Sequence, residues 1–144
     1  MLKWSARISP GAHFATAHAE SSFRDRTFDL ITAAGSLNYT DPTRAFPELR
    51  RVLTPEGTLA VYDFHLPDFP YQRPPDGAIK LSPEILEGMN TGFRLVRSEV
   101  LDLPVAMTHD QYVAFLKTEV TVTDPPSREQ WNLAFRGYIA WLQP

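Results

Sequence analysis

The chain of 144 residues contains no cysteine. This absence excludes a disulfide framework, a thiolate zinc site and a cysteine nucleophile. Long hydrophobic runs are missing too, because no stretch approaches the roughly 18 apolar residues that a membrane-spanning helix needs. The first residues also lack the apolar core of a signal peptide. We therefore expect a cytoplasmic protein with no membrane partner.

An excess of positive charge is also absent. The chain has 14 Lys and Arg against 17 Asp and Glu, for a net charge of -3, and the two signs are interspersed. No basic stripe is present, so the sequence predicts no nucleic-acid partner. The four histidines show no metal-ligand spacing with one another or with acids, and we expect no metal site.

Glycine motifs that bind phosphates or cofactors do not occur. The seven glycines form no Gly-x-Gly pair anywhere in the chain. The sequence also has no P-loop and no Gly-x-Ser-x-Gly nucleophile elbow. These absences exclude the common nucleotide-binding and serine-hydrolase motifs.

The strongest structural signal is a pair of apolar strands joined by a helix. The first strand covers residues 28–34 and the second covers residues 58–64. Asp41 can cap the helix between them, with Pro42 at its first position. Near-continuous apolar strands separated by a helix predict a parallel βαβ unit.

The remaining segments give weaker predictions. We expect a helix at 2–8, a strand at 13–18, a proline-rich loop at 66–77 and a short helix from Ser82 to Met89. A half-exposed strand follows at 93–103. Capping-box patterns at 108–111 and 127–130 each predict a helix. Residues 137–142 are apolar and predict a last buried strand.

The first half of the chain resembles the class I S-adenosylmethionine-dependent methyltransferases, of the type that includes ubiquinone/menaquinone-biosynthesis and trans-aconitate methyltransferases. The resemblance lies in several short segments, taken together. They are Ala19-Glu20, Phe23, Asp25, Phe28-Asp29-Leu30-Ile31, Ser36-Leu37-Asn38-Tyr39, Ala45, Glu48-Leu49-Arg50-Arg51-Val52-Leu53, Pro55-Glu56-Gly57 and Leu59.

This resemblance implies an α/β fold with a Rossmann-like, mostly parallel sheet, truncated at the N-terminus, and a small cap of helix and loop. In one domain, residues 1–65 would form the Rossmann-like part and 66–122 the cap. Residues 123–144 would form a C-terminal helix and strand. The implied activity is methyl transfer from S-adenosylmethionine to a small-molecule acceptor.

The resemblance also implies the site residues. His18, Ala19 and Glu20 would lie beside the adenine of the cofactor, although a solvent-facing loop explains His18 as well. Ala33, Ala34 and Gly35 would pass its sulfonium side, although small residues equally suit packing between strand and helix.

Asn38 and Tyr39 would line the substrate pocket, and Tyr39 also suits a core aromatic residue. His65 is a candidate general base at the end of a strand, as is Asp63, although a histidine beside a proline loop is often structural. Capping alone explains His109.

Family members place a first strand, a glycine-rich loop and a second strand before the segment that Met1 opens here. The family sheet has those two strands in its middle. Three alternatives follow from their absence. The chain is an active enzyme, it is a non-catalytic remnant or subunit that takes strands from a second copy or a partner chain at its open sheet edge, or Met1 is an internal residue of a longer enzyme.

Overall fold

The computed structural model describes residues 7, 9, 11–12, 23–65, 81–119 and 129–144. The helix predicted at 2–8, the strand predicted at 13–18 and the proline-rich loop lie almost wholly outside these ranges. Four strands and three α-helices occur within them. In chain order they are β1 (Phe28–Ala34), α1 (Pro42–Val52), β2 (Leu53–His65), α2 (Pro83–Gly88), β3 (Arg94–Thr108), α3 (His109–Glu119) and β4 (Gln130–Gln143).

The predicted βαβ unit is confirmed. β1 and β2 are adjacent and parallel, with Ile31 opposite Leu59 and Ala33 opposite Val61. The Asp41 side chain caps α1 by accepting a hydrogen bond of 2.9 Å from the Thr43 backbone N–H. This bond satisfies one of the amide groups that a helix leaves unpaired at its start. The amphipathic face of α1 then covers the two strands.

β2 begins five residues before the strand predicted at 58–64, and it contains an irregularity between Leu53 and Thr58. The register moves from Phe28 opposite Leu53 to Leu30 opposite Thr58, so β2 has extra residues at this point. A Cβ atom on Gly57 would lie 2.8 Å from the Leu53 side chain, which shows how tightly the chain folds back here. A larger residue at position 57 would therefore force the Leu53 side chain to shift.

The sheet order is β1-β2-β4-β3. β4 is antiparallel to both of its neighbours, whereas β1, β2 and β3 run in one direction. Of the three strand pairings in the described sheet, β1–β2 is parallel and the two that β4 makes are antiparallel, because β4 is a reversed strand in the interior of the sheet. β3 spans residues 94–108, so this part of the predicted cap belongs to the sheet itself.

The helix predicted after Ser127 is wrong from Gln130 onward, where β4 begins. Buried residues recur at every second position, first at Leu133 and Phe135 and then at Tyr138, Ala140 and Leu142. That period of two belongs to a strand, and pairing with two neighbours outweighs the local helix signal.

Two apolar clusters lie on opposite faces of the sheet. The larger cluster packs α1 and α2 on β1, β2 and the end of β4, and includes Phe46, Leu59, Leu86 and Leu142. The smaller one packs Tyr112 and Leu116 of α3 against Leu133 and Phe135. Leu133 and Leu142 are an odd number of positions apart on β4. Because successive strand residues alternate between faces, these two side chains lie on opposite faces of the sheet.

The capping box predicted at 108–111 and the helix start predicted at Ser82 are confirmed. Thr108 and Gln111 exchange hydrogen bonds at the start of α3, with the Gln111 side chain accepting from the Thr108 N–H at 2.9 Å. The Ser82 hydroxyl accepts from the Ile85 N–H at 3.3 Å and opens α2.

Candidate functional site

The candidate site lies at the carboxyl ends of β1 and β2. Ligands of open α/β sheets bind at this end of the strands. Gly35 ends β1 with a φ of 55°, a left-handed conformation that glycine adopts without steric cost. Its N–H donates a 2.9 Å hydrogen bond to the Tyr62 carbonyl and keeps the turn against β2.

Asp63 is the polar centre of this end of the sheet. One carboxylate oxygen accepts a 2.8 Å hydrogen bond from the Phe64 N–H, and the other accepts one from the Asn38 side-chain amide. The carboxylate also lies against Gly35, because a Cβ atom there would be 3.1 Å from Asp63 Oδ1. Asp63 therefore fixes the segment that follows β1.

Asn38 uses both ends of its amide within the protein. Its nitrogen donates to Asp63, and its oxygen accepts from the Leu81 N–H at 3.4 Å. Asn38 lies in the short 3-10 turn Leu37–Tyr39, so these bonds connect that turn to β2 and to the residue just before the cap of α2. Asn38, which is predicted to line the substrate pocket, thus hydrogen-bonds within the protein through both its amide nitrogen and its amide oxygen.

Tyr138 lies beside Asp63. The two residues are directly opposite in the β2–β4 ladder, which places their side chains on the same face of the sheet. Tyr138 is only 7% exposed, and its hydroxyl has no hydrogen-bond partner within the part of the chain that the structure describes. Burial, together with the negative charge of Asp63, raises the pKa of Tyr138 to about 12.

The other predicted site residues occupy varied positions. Ala33 is buried and Ala34 is exposed, while Tyr39 is 67% exposed rather than a core aromatic. The backbone of His65 ends β2. Its role as a general base stays a prediction, as does that of Asp63. His18, Ala19 and Glu20 lie outside the described residues.

Sequence reasoning named Asp63 but missed Tyr138. The sequence predicts Tyr138 only as part of an apolar final strand, because nothing local distinguishes it from a core aromatic residue. Its pairing with Asp63 joins two residues that are 75 positions apart in the sequence (138 minus 63), and only the register of the β2–β4 ladder shows it.

The described ranges contain neither of two further kinds of feature. No three His, Asp or Glu side chains come together there in a group that could hold a metal ion. No helix among those residues is long and apolar enough to cross a membrane.

Comparison with solved structures identifies the architecture. The YcgJ protein of Bacillus subtilis superposes with a TM-score of 0.62 at 16% identity, over 98% of this chain and 76% of that one. An S-adenosylmethionine-dependent methyltransferase of Methanosarcina mazei gives 0.59 at 21% identity, over 99% and 75%. The fold is that of the class I methyltransferases.

The methyltransferase resemblance is also confirmed in the sequence. Residues 1–61 match the family model described as a methyltransferase domain. A curated relative, the 2-phytyl-1,4-naphtoquinone methyltransferase of Trichormus variabilis, is 47% identical over 47 residues. The aligned segment spans 32% of this chain and 20% of that relative. The strong likeness is therefore confined to one segment, which is about a fifth of that relative's length.

Proposed function

We propose that the protein is an S-adenosylmethionine-dependent methyltransferase that acts on a small molecule. The observation that carries this proposal is the match of residues 1–61 to a methyltransferase domain, within a chain that has the corresponding fold. The 47% identity to a quinone methyltransferase supports an acceptor with a planar, apolar ring. A cytoplasmic location remains a prediction.

The described residues fit one end of the cofactor. Ala34 is exposed and carries only a methyl group, so the backbone after β1 can be approached closely on that side. The other side of the turn is filled, because the Asp63 carboxylate lies against Gly35. Small residues at this strand end suit the sulfonium side of S-adenosylmethionine. A Gly-x-Gly cradle for its amino-acid end does not occur in the sequence.

When bound, S-adenosylmethionine would supply a methyl group on a positively charged sulfur, already activated for in-line attack by an acceptor. The residues of this chain would then contribute mainly position. Asp63 and Asn38 hold the turn after β1 in one conformation, which fixes the wall against which reactants align. Correct placement of two reactants alone can supply a large part of a rate enhancement.

Calorimetric titration with S-adenosylmethionine tests the proposal. We expect binding to the wild-type chain and its loss in Ala34→Leu, where a larger side chain would occupy the approach to the turn. Ala106→Leu is the matched control, because Ala106 is an exposed alanine on β3. The absence of heat at millimolar cofactor in the wild type would end the enzyme proposal.

A partner-binding role is the second candidate, and the position of β1 favours it. β1 is the outermost strand of the described sheet and pairs on one side with β2. Its Leu30 side chain is 59% exposed. An edge of this kind can accept a further strand from a second copy or a partner chain. Sedimentation equilibrium tests this role, since a monomer at all concentrations argues against self-pairing.

A further inference from the structure

Most of the large apolar side chains that are exposed on the described strands lie on one face of the sheet. Phe64 of β2 lies opposite Gly137 of β4, and Gly137 lies opposite Leu101 of β3. Opposite residues share a face of the sheet, as do residues two positions apart on one strand. Five side chains, each between 42% and 64% exposed, therefore form one surface, here called the open face: Leu30, Tyr62, Phe64, Leu101 and Leu103.

The helices that the structure describes leave the open face uncovered. α1 and α2 pack on the other face of the sheet, in the larger apolar cluster. α3 packs on the same face as the exposed side chains, but at one end, against Leu133 and Phe135. The ring of Phe64 lies 5.9 Å from that of Phe135 and extends the apolar surface beyond α3. Contiguous exposed apolar patches of this kind mark interaction sites.

The area of the open face is that of a small specific interface. Strands lie about 4.8 Å apart and each residue adds about 3.3 Å, so four strands over the length of residues 58–64 cover about 450 Å². Two copies would bury about 900 Å² of flat surface, and the accessible surface of the side chains is larger. A biological interface should bury about 1,000 Å² in total, which two such faces can supply.

The border of the open face carries charges of both signs. Arg97 and Glu99 form an ion pair on this face of β3. The Arg97 guanidinium carbon also lies 5.0 Å from the centre of the Trp141 ring, at the edge of the apolar surface. A border of one sign would repel its own copy, whereas adjacent opposite charges allow the same patch to pair with itself across a two-fold axis.

The neighbouring sheet edge favours contact through the face over the addition of a strand. β3 is the outermost strand on this side of the described sheet. It contains Pro104, which has no N–H to donate to a further strand. Prolines on edge strands act against strand addition. Two sheets can instead pack face to face, about 10 Å apart, with interdigitated side chains.

We propose that the open face is a self-association surface, at which two copies of this chain pack face to face around Phe64 and Leu101. The inference goes beyond the proposed methyl transfer and does not rest on it. It also differs from strand pairing at β1, because β1 and β3 form the two opposite edges of the described sheet. A substitution on β3 therefore separates the two modes of association.

The experiment is sedimentation equilibrium of the full chain at about 1 to 100 µM, the range in which a small interface dissociates. The test variant is Leu101→Lys and the matched control is Val100→Lys. Val100 is the preceding residue on the same strand, and it is 53% exposed against 48% for Leu101. It lies opposite Tyr138 and therefore on the other face of the sheet.

We expect the wild type to show a concentration-dependent equilibrium between monomer and dimer. Leu101→Lys should weaken the dimer about 30-fold or more, because a two-fold interface loses the apolar side chain twice and gains two like charges. Val100→Lys should dissociate like the wild type. No cofactor is added, so the result does not depend on methyl transfer.

A wild type that is monomeric at every concentration overturns the inference. A dimer that Leu101→Lys does not weaken also overturns it, and would assign association to the β1 edge or to another surface. Equal weakening by Leu101→Lys and Val100→Lys would show a general effect of added charge and would overturn it too. If circular dichroism shows that Leu101→Lys does not fold, Phe64→Ser decides by the same measurement.

Discussion

Gly35 is the position where the geometry of the candidate site makes its sharpest demand. Replacement by alanine meets two separate obstacles. The φ of 55° is left-handed, which costs an L-residue about 1–2 kcal/mol. The new Cβ atom would also lie 3.1 Å from Asp63 Oδ1, closer than ordinary van der Waals contact.

Asp63 cannot move away freely, because Asn38 and the Phe64 N–H hold its carboxylate. Crowding of this kind in a packed site costs about 1–3 kcal/mol. We therefore expect Gly35→Ala to lower the free energy of unfolding by about 2–5 kcal/mol, a large share of the total stability of a small domain. Urea denaturation followed by far-UV circular dichroism measures this change.

The control is Gly88→Ala. Gly88 lies at the end of α2, and a Cβ atom there would meet nothing within 4 Å. The double variant Gly35→Ala/Asp63→Ala removes the crowding and leaves the backbone cost, so the two changes should not be additive. If Gly35→Ala is as harmless as Gly88→Ala, the packing of Asp63 against the turn is wrong.

Three further predictions concern other parts of the molecule. The raised pKa of Tyr138 means that the folded state keeps this proton longer than the unfolded state, whose value is 10. The contribution of Tyr138 to the free energy of unfolding should therefore be complete below pH 10 and should fall by about 2 kcal/mol as the pH rises to about 12. Urea titrations at each pH measure this loss, and Tyr138→Phe should not show it. Arg51→Ala should lower the urea midpoint more than Arg50→Ala, because Arg51 donates hydrogen bonds to Glu48 at 2.7 Å and to the Phe23 carbonyl at 2.8 Å. Equal urea midpoints for the two variants would contradict the role of these bonds. Leu116→Ala should cost about 2–5 kcal/mol by leaving a cavity under α3, whereas Lys117→Ala on its exposed side should cost little by the same measurement.

Features set by local chemistry could be predicted from the sequence. Asp41 caps α1, and Thr108 caps α3 with Gln111, because each cap needs only residues within one helical turn. The parallel pairing of β1 and β2 was also predictable, since an apolar strand on each side of a helix leaves few other arrangements.

Features set by distant pairing could not be predicted in the same way. The capping pattern at Ser127 is a valid local signal for a helix. From Gln130 onward the chain nevertheless forms β4, because this segment pairs with both β2 and β3. The same holds at the candidate site, where Asp63 meets Asn38 across 25 positions and Tyr138 across the ladder. Only the three-dimensional register shows that these side chains form one polar cluster.

The order of strands has a consequence for synthesis on the ribosome. β4 is the last of the described strands in chain order, yet it separates β2 from β3 and contributes side chains to both apolar clusters. A nascent chain that ends before Gln130 holds two strands with no shared neighbour. We therefore expect β2 and β3 to join one sheet only after β4 has emerged, and to depend until then on whatever shields them from other nascent chains.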